Sequence, residues 1–257
     1  MMHLDRSYIE KPWGRTTLPP QFDAPAGAKV GEVWFASDAN LPLLVKYIFT
    51  SERLSIQVHP NDEQARESGL PRGKSECWYI LDVDPGAVLG LGLTREVAAE
   101  ELRAAALDGS IEELIDWRPV TAGDFVMVPA GTIHAIGAGI SLIEIQQNSD
   151  VTYRLYDYGR PRELHLEDAV DVAIRGPYDS GLIQHVSPGE ERTLIDGTPF
   201  TLVSATEDTM SDRQRWLVPL SGELRTGSEV AKPGECLLAE PGERVACESA
   251  WLLAASA

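Results

Sequence analysis

Apolar and polar residues alternate through most of this chain, in short runs broken by Gly, Pro, Asn and Asp. Residues 54 to 60 give the clearest case: Leu54, Ile56 and Val58 alternate with Ser55, Gln57 and His59. Strand side chains repeat every two residues, so the spacing predicts a strand with one apolar face and with Gln57 and His59 sharing the other. Strands are predicted likewise at 43–50, 76–82, 124–130 and 140–147, and later at 200–206, 215–222, 235–242 and 250–256. Many short strands with turn residues between them predict a sandwich or barrel, not repeated βαβ units.

Two segments break this rhythm. Residues 94–117 are rich in Ala, Leu and Glu, and Ser110 and Glu113 have the spacing of a capping box for the second piece. Residues 162–176 put Leu166, Val170 and Ala173 at helical spacing and stop at Gly176–Pro177. The turn-rich stretch 176–192 predicts a boundary, dividing the chain into 1–180 and 181–257.

Composition narrows the class of protein. The formal charge of −18 argues against non-specific partners such as nucleic acid or an anionic membrane. An anionic ligand would need a local cationic pocket set against that field. No apolar run is long enough to span a membrane, and the N-terminal residues lack a secretory h-region. Three cysteines form no C-x-x-C pair, so the expectation is a cytoplasmic protein without a disulfide framework.

The candidate chemistry lies in two motifs. Gly123, Pro129, Gly131 and His134 follow the spacing G-x5-P-x-G-x2-H, which is similar to the second motif of the cupin barrels. Gln57, His59 and Glu76 resemble a variant of the first cupin motif, with glutamine in place of the usual first histidine. The resemblance implies a metal site of Gln57, His59, Glu76 and His134. Two imidazoles, a carboxylate and an amide oxygen suit a borderline divalent ion such as zinc, with room left for water or substrate. His3, His165 and His185 lie outside these motifs.

A closer resemblance covers residues 8 to 175. "KPWG", "LSIQVHPND", "GKSECWYIL", "VPAGTIHAIG", "EIQQNSDVTYRLYDYGR" and "RELHLEDA" resemble, in order and wording, the type I mannose-6-phosphate isomerases. That resemblance implies one divalent metal per chain on Gln57, His59, Glu76 and His134, with zinc expected. It adds Lys74 and Arg154 to the active site and matches Glu144 and Asp150 to acidic positions of the same pocket. The implied fold is a mainly β cupin barrel with small helical insertions and a second, degenerate cupin-like half without metal. The implied reaction interconverts mannose 6-phosphate and fructose 6-phosphate through a cis-enediolate, so the implied partner is a sugar phosphate.

Physical reading of the residues agrees in part. Arg154 is a permanent planar cation suited to phosphate or an enediolate oxygen, and Arg160 and Arg162 follow it in a loop. Lys74 stands two residues before Glu76, on the same predicted face. Glu144 is either a base or a partner that orients its neighbours. Trp13, Trp34, Trp78 and Tyr79 read as core or pocket wall. There are two departures from the family. The helical insert is short, and Gly73 stands where some relatives carry histidine. Spacing alone leaves two rivals: a sugar-phosphate-binding cupin without catalysis, and an iron cupin dioxygenase.

Overall fold

The structure, a computed structural model, describes residues 2–36, 41–207, 211–226 and 229–257. Its strands form three antiparallel sheets. A five-stranded sheet runs Tyr153–Tyr156, Ile56–Val58, His134–Ile136, Val88–Leu93 and Ile115–Pro119. A seven-stranded sheet runs Ile183–His185, Asp124–Val128, Glu76–Val83, Ile140–Gln147, Leu43–Phe49, Val30–Phe35 and Arg6–Arg15. The third follows the order Met2–His3, Leu237–Ala239, Arg215–Thr226, Ala246–Ser256, Thr201–Ala205 and Arg192–Ile195, with Glu229–Ala231 on Arg215–Thr226. Few helices interrupt this cupin-like, mainly β architecture.

The second sheet is buried on both faces, which explains why "LLVKYIF" is apolar almost throughout. Period-two alternation sends Tyr47, Cys77, Tyr79, Ile143 and Ile145 to one side, where they pack with Trp216, Val218, Trp251 and Leu253 of the C-terminal sheet. Ile48, Trp78, Ile80 and Leu142 point to the other side and meet Leu89, Leu91 and Ile136 of the five-stranded sheet. Lys46, Glu76 and Glu144 each stand two residues from one of these, so the same alternation delivers them to the inner face.

Four helices, α1 (Asp62–Glu67), α2 (Ala99–Asp108), α3 (Ile111–Leu114) and α4 (Leu166–Val172), lie outside the strands. Leu102, Ala105 and Ala106 of α2 and Ala169 and Val170 of α4 pack on Ile56, Val58, Ile133, Ala135 and Leu155. Ile56 and Val58 of the apolar face predicted for residues 54–60 are therefore roofed by helices and Gln57 and His59 face inward, whereas Leu54 precedes the strand and joins the inner cluster with Ile48 and Ile136. Each fully buried aliphatic side chain there stabilises by roughly 1.5–3 kcal/mol, which fixes the strand's register.

Helix boundaries depart from the sequence reading. Residues 94–117 hold two short helices, and from Ile115 the chain pairs as a strand with Val88–Leu93. Ser110 does not cap α3: its backbone is already helical, and its N–H is taken by Asp108 Oδ1 at 2.9 Å. The second helix covers only Leu166–Val172. A capping box does form at α1, where Asn61 accepts from Glu63 and Gln64 and the Gln64 side chain returns to the Asn61 N–H.

The C-terminal half alternates in the same way. Trp216 and Val218 join the shared core, and Leu217 turns to a separate cluster with Leu224, Leu237, Ala239 and Leu252. The division proposed at 180/181 falls in the turn Ser180–Leu182, and Ile183–His185 just beyond it pairs with Asp124–Val128 of the first half. In the other direction, Met2–His3 pairs with Leu237–Ala239.

Candidate active site

Local turns bring the two motifs together. Gly131 takes a left-handed φ of +86°, reached readily without a side chain, and its N–H donates to the His59 carbonyl at 2.8 Å. The chain then enters the His134–Ile136 strand with His134 directly opposite Gln57. Gly73 lies so close to the turn after His59 that a Cβ would come within 2.4 Å of the Asn61 carbonyl carbon. That contact leaves no room for a side chain at Gly73. Asp62 Oδ1 accepts from the Gly73 N–H at 2.8 Å and the Gln147 amide at 2.9 Å, fixing the segment that carries Lys74 and Glu76.

His59, Glu76 and His134 converge, with one ligand atom from each within 4.8 Å of the others. Glu76 lies between the imidazoles, 3.5 Å from His59 Nε2 and 3.4 Å from His134 Nε2. All three are buried, and His59 Nε2 and Glu76 Oε2 make no hydrogen bond. Buried polar atoms are rarely left so, and with His134 Nε2 beside them they offer two imidazole nitrogens and a carboxylate to one point, a donor set that fits a divalent cation. His134 Nδ1 lies 2.9 Å from the Thr132 carbonyl, which leaves Nε2 with its lone pair toward the cluster. Gln57 Nε2 is 3.2 Å from that Nε2, and its Oε1 accepts from Ser55 at 3.0 Å. A half-turn of the amide exchanges these atoms and adds an oxygen to the donor set.

The ionisation states suit this reading. Burial, with the Lys74 charge next in size, holds His59 well below the ordinary imidazole range. Burial also brings His134 down to about 4. Both rings are neutral at physiological pH, the form that binds metal. Burial, then the Glu144 charge, raises Glu76 to about 7 when no cation is present.

Above the cluster is a cavity of about 200 Å³ lined by Gln57, Lys74, Glu144, Asp150 and Arg154 among others. Lys11, Lys46 and Arg162 also line it, giving five cationic side chains against the carboxylates Glu32, Glu144 and Asp150. A net positive pocket in a chain of charge −18 is the local inversion that an anionic ligand requires.

Gln57, Lys74, Glu144 and Arg154 line this cavity, and His59, Glu76 and His134 lie behind its lining, reached through Gln57 at His134 and Lys74 at Glu76. Lys74 Nζ sits 3.3 Å from Glu76 Oε2. Asp150 lines the cavity but is exposed. Arg162 lines it too; Arg160 does not, and turns instead to Asp157 and the Arg53 carbonyl. Trp13 and Trp34 form wall, Trp78 lies beneath, and Tyr79 packs away from the site against Trp251.

Sequence reasoning missed Lys46. Its ammonium, 5% exposed, lies 3.1 Å from Glu144 Oε1, 2.6 Å from Gln146 Oε1 and 4.8 Å from the Trp34 ring centre. Burial alone would lower its pKa, but Glu144, Glu32 and Glu76 outweigh that and raise it, so Lys46 is a fixed cation. Trp78 Nε1 donates to the other oxygen of Glu144 at 3.1 Å. Despite its burial, Glu144 is held below the usual carboxylate range by Lys46 and Lys74. A lone lysine at the centre of "LLVKYIF" was the available signal.

Fold and site together define a cupin-like barrel with a His–Glu–His group able to hold one metal ion beneath a cationic pocket. No family model matches the chain. It is 41% identical over 169 residues to the mannose-6-phosphate isomerase of Streptococcus mutans, covering 63% of this chain and 53% of that protein. It is 48% identical over 141 residues to the mannose-6-phosphate isomerase ManA of Bacillus subtilis, covering 52% and 44%. The chain thus spans about half the length of the curated relatives it matches. The solved mannose 6-phosphate isomerase of Bacillus subtilis superposes with a TM-score of 0.82 at 28% identity, over 99% of both chains. A Salmonella typhimurium phosphomannose isomerase variant shares the fold, with a TM-score of 0.77 at 18% identity over 99% of this chain and 98% of that one. The chain is thus similar to mannose-6-phosphate isomerases in sequence over about half of their length, and in fold to a solved one over almost all of both chains.

Proposed function

We propose that the chain is a metal-dependent aldose–ketose isomerase that interconverts mannose 6-phosphate and fructose 6-phosphate, with zinc as its ion. The observation that carries this reading is the His59–Glu76–His134 group, with its unbonded buried atoms, at the base of a net cationic pocket. Gln57, His59, Glu76 and His134 would hold the ion, and residues 181–257 would supply packing without chemistry. An ion held there would supply Lewis-acid polarisation of the open-chain sugar's carbonyl.

The chain's own residues divide the remaining work. Lys74, buried beside Glu76 and lining the pocket, is the residue that moves the proton from C1 of open-chain fructose 6-phosphate to C2. Glu144 has both oxygens engaged by Lys46 and Trp78, so it acts as the anchor of Lys46 and leaves proton transfer to Lys74. Lys46 supplies fixed positive charge against the enediolate oxygens without reorganisation, and Arg154 supplies a planar cation for the anionic substrate. The apolar walls Trp13, Ile48, Leu54 and Ile136 keep bulk water away from the carbanion carbon.

The test is a coupled assay of mannose 6-phosphate formation from fructose 6-phosphate, with metal content measured on the same sample. One equivalent of metal and activity abolished by chelation are expected. Sugar-phosphate binding with no turnover, whichever divalent ion is supplied, would overturn the catalytic reading. Lys74→Met should lower kcat by about 10²- to 10⁴-fold with metal retained.

A further inference from the structure

Beyond Asp150, the chain runs through Thr152 and Arg154, makes a tight turn and comes back along the same wall. Tyr158 (φ 53°) and Gly159 (φ 76°) both adopt left-handed backbone there, which is uncommon for a tyrosine. The turn folds residues 160–162 back onto Asp157, whose carboxylate is 2% exposed. Asp157 Oδ2 accepts from Arg162 Nε at 2.5 Å and Oδ1 from Arg162 Nη2 at 2.7 Å, a bidentate fork. Arg160 Nε and Nη2 approach the same Oδ1 at 3.1 and 2.9 Å, with the Arg160 guanidinium over the Tyr158 ring. One buried carboxylate therefore aligns two guanidinium groups, of which Arg162 alone lines the cavity.

The fork occupies Nε and Nη2 of Arg162 and leaves Nη1 unengaged. Arg154 lines the same cavity, and its side chain makes one hydrogen bond, from Nη1 to the Glu163 carbonyl at 3.3 Å. The two guanidinium groups are close enough to repel: after desolvation, Arg162 is the next largest cause lowering the Arg154 pKa, and Asp157, Asp150 and Glu163 only partly oppose it. Adjacent like charges with unused planar donors in a shared pocket call for a dianion between them. Arg154 stands opposite Gln57, which stands opposite His134. Arg154 is thus two strand spacings, about 10 Å, from His134 across the sheet.

We infer that Arg162 and Arg154 form the subsite for the substrate's phosphate, and that buried Asp157 is the positioning residue that sets Arg162 in place. The inference rests on the sugar-phosphate reading above and adds the groups that bind the phosphate end. Asp157 touches no substrate. Its carboxylate fixes which edge of Arg162 faces the pocket, so the ordering of a long side chain is complete before the ligand arrives.

Inorganic phosphate is the probe, titrated into the metal-loaded protein and also used as a competitive inhibitor. Arg162→Ala should raise both the phosphate inhibition constant and the KM for fructose 6-phosphate by about tenfold or more, the loss of a charge-assisted hydrogen bond, with kcat changed far less. Asp157→Asn should do the same more weakly with metal content unchanged. It should add nothing in an Arg162→Ala background, an outcome that a merely structural role for Asp157 would not give. Arg160→Ala, which keeps Asp157 and Arg162 intact, should leave both constants within about twofold. Unchanged phosphate inhibition and KM in Arg162→Ala, or additive losses in the double variant, would overturn the inference. A wild-type protein that binds phosphate through Arg162 without isomerising the sugar would sink the proposed function and leave the subsite standing.

Discussion

Replacing Lys46 by methionine keeps the length of the side chain and removes the ammonium bonded to Glu144. Glu144 is 4% exposed, and its carboxylate would keep the Trp78 N–H and the more distant Lys74 charge. Breaking a buried pair in this way costs about 3–5 kcal/mol, because the remaining charge stays desolvated. The cost must depend on pH. In the parent protein Lys46 and Lys74 outweigh burial and hold the Glu144 pKa down, so its stabilisation is present above the unfolded carboxylate pKa and lost as pH falls. Without Lys46, burial dominates and the folded pKa rises above the unfolded value. Ionised Glu144 then penalises the folded state at neutral pH, and the penalty is relieved as pH falls through the raised pKa. Denaturant unfolding of both proteins at pH 5 and pH 8, loaded with the same metal, should show a gap that is wide at pH 8 and narrow at pH 5. A second change, Glu144→Gln, should recover most of the loss at pH 8. A gap below about 1 kcal/mol at pH 8, or one independent of pH, would refute the buried-pair argument.

Metal affinity should strengthen with pH up to about 7 and then level off, because Glu76 must give up its proton to bind; competition titrations at pH 6 and pH 8 should differ by about tenfold, and a flat profile would remove Glu76 from the ligand set. The metal-free protein should lose stability as pH rises from the ordinary carboxylate range to about 7 and level off above it, since the folded Glu76 pKa lies above the unfolded value; thermal melts of chelated protein check the sign. Gly73→Ala places a Cβ within 2.4 Å of the Asn61 backbone and should destabilise by about 1–3 kcal/mol while lowering kcat through displacement of Lys74; a neutral effect would show that this turn has slack.

How much could be read from sequence depended on the distance over which each residue's meaning is decided. His59, Glu76 and His134 were legible because motif spacing fixes them locally: alternation gives the face and Gly131 gives the turn. Lys46 was not legible, since its role depends on the ladder pairing that sets it opposite Glu144, nearly a hundred residues away. In isolation it reads as one polar residue in an apolar strand. Strands Arg6–Arg15 and Val30–Phe35 escaped notice for a related reason: their polar residues are held by pairing with each other and with Leu43–Phe49. Helix α1 carried its signal openly in Asn61 and Gln64, yet six residues give too little periodicity to be recognised. Ser110 and Glu113 carried a capping signal that the chain does not use, because Gly109 closes α2 immediately before it.

The most direct test of the central claim is to follow the hydrogen at C2. Metal-loaded protein incubated with fructose 6-phosphate in heavy water should yield mannose 6-phosphate carrying deuterium at C2, detectable by NMR, as expected when Lys74 moves a proton that exchanges with solvent. His59→Ala with His134→Ala should abolish both product and label. Mannose 6-phosphate formed at an undiminished rate by that double variant would contradict proton transfer at the His59–Glu76–His134 site.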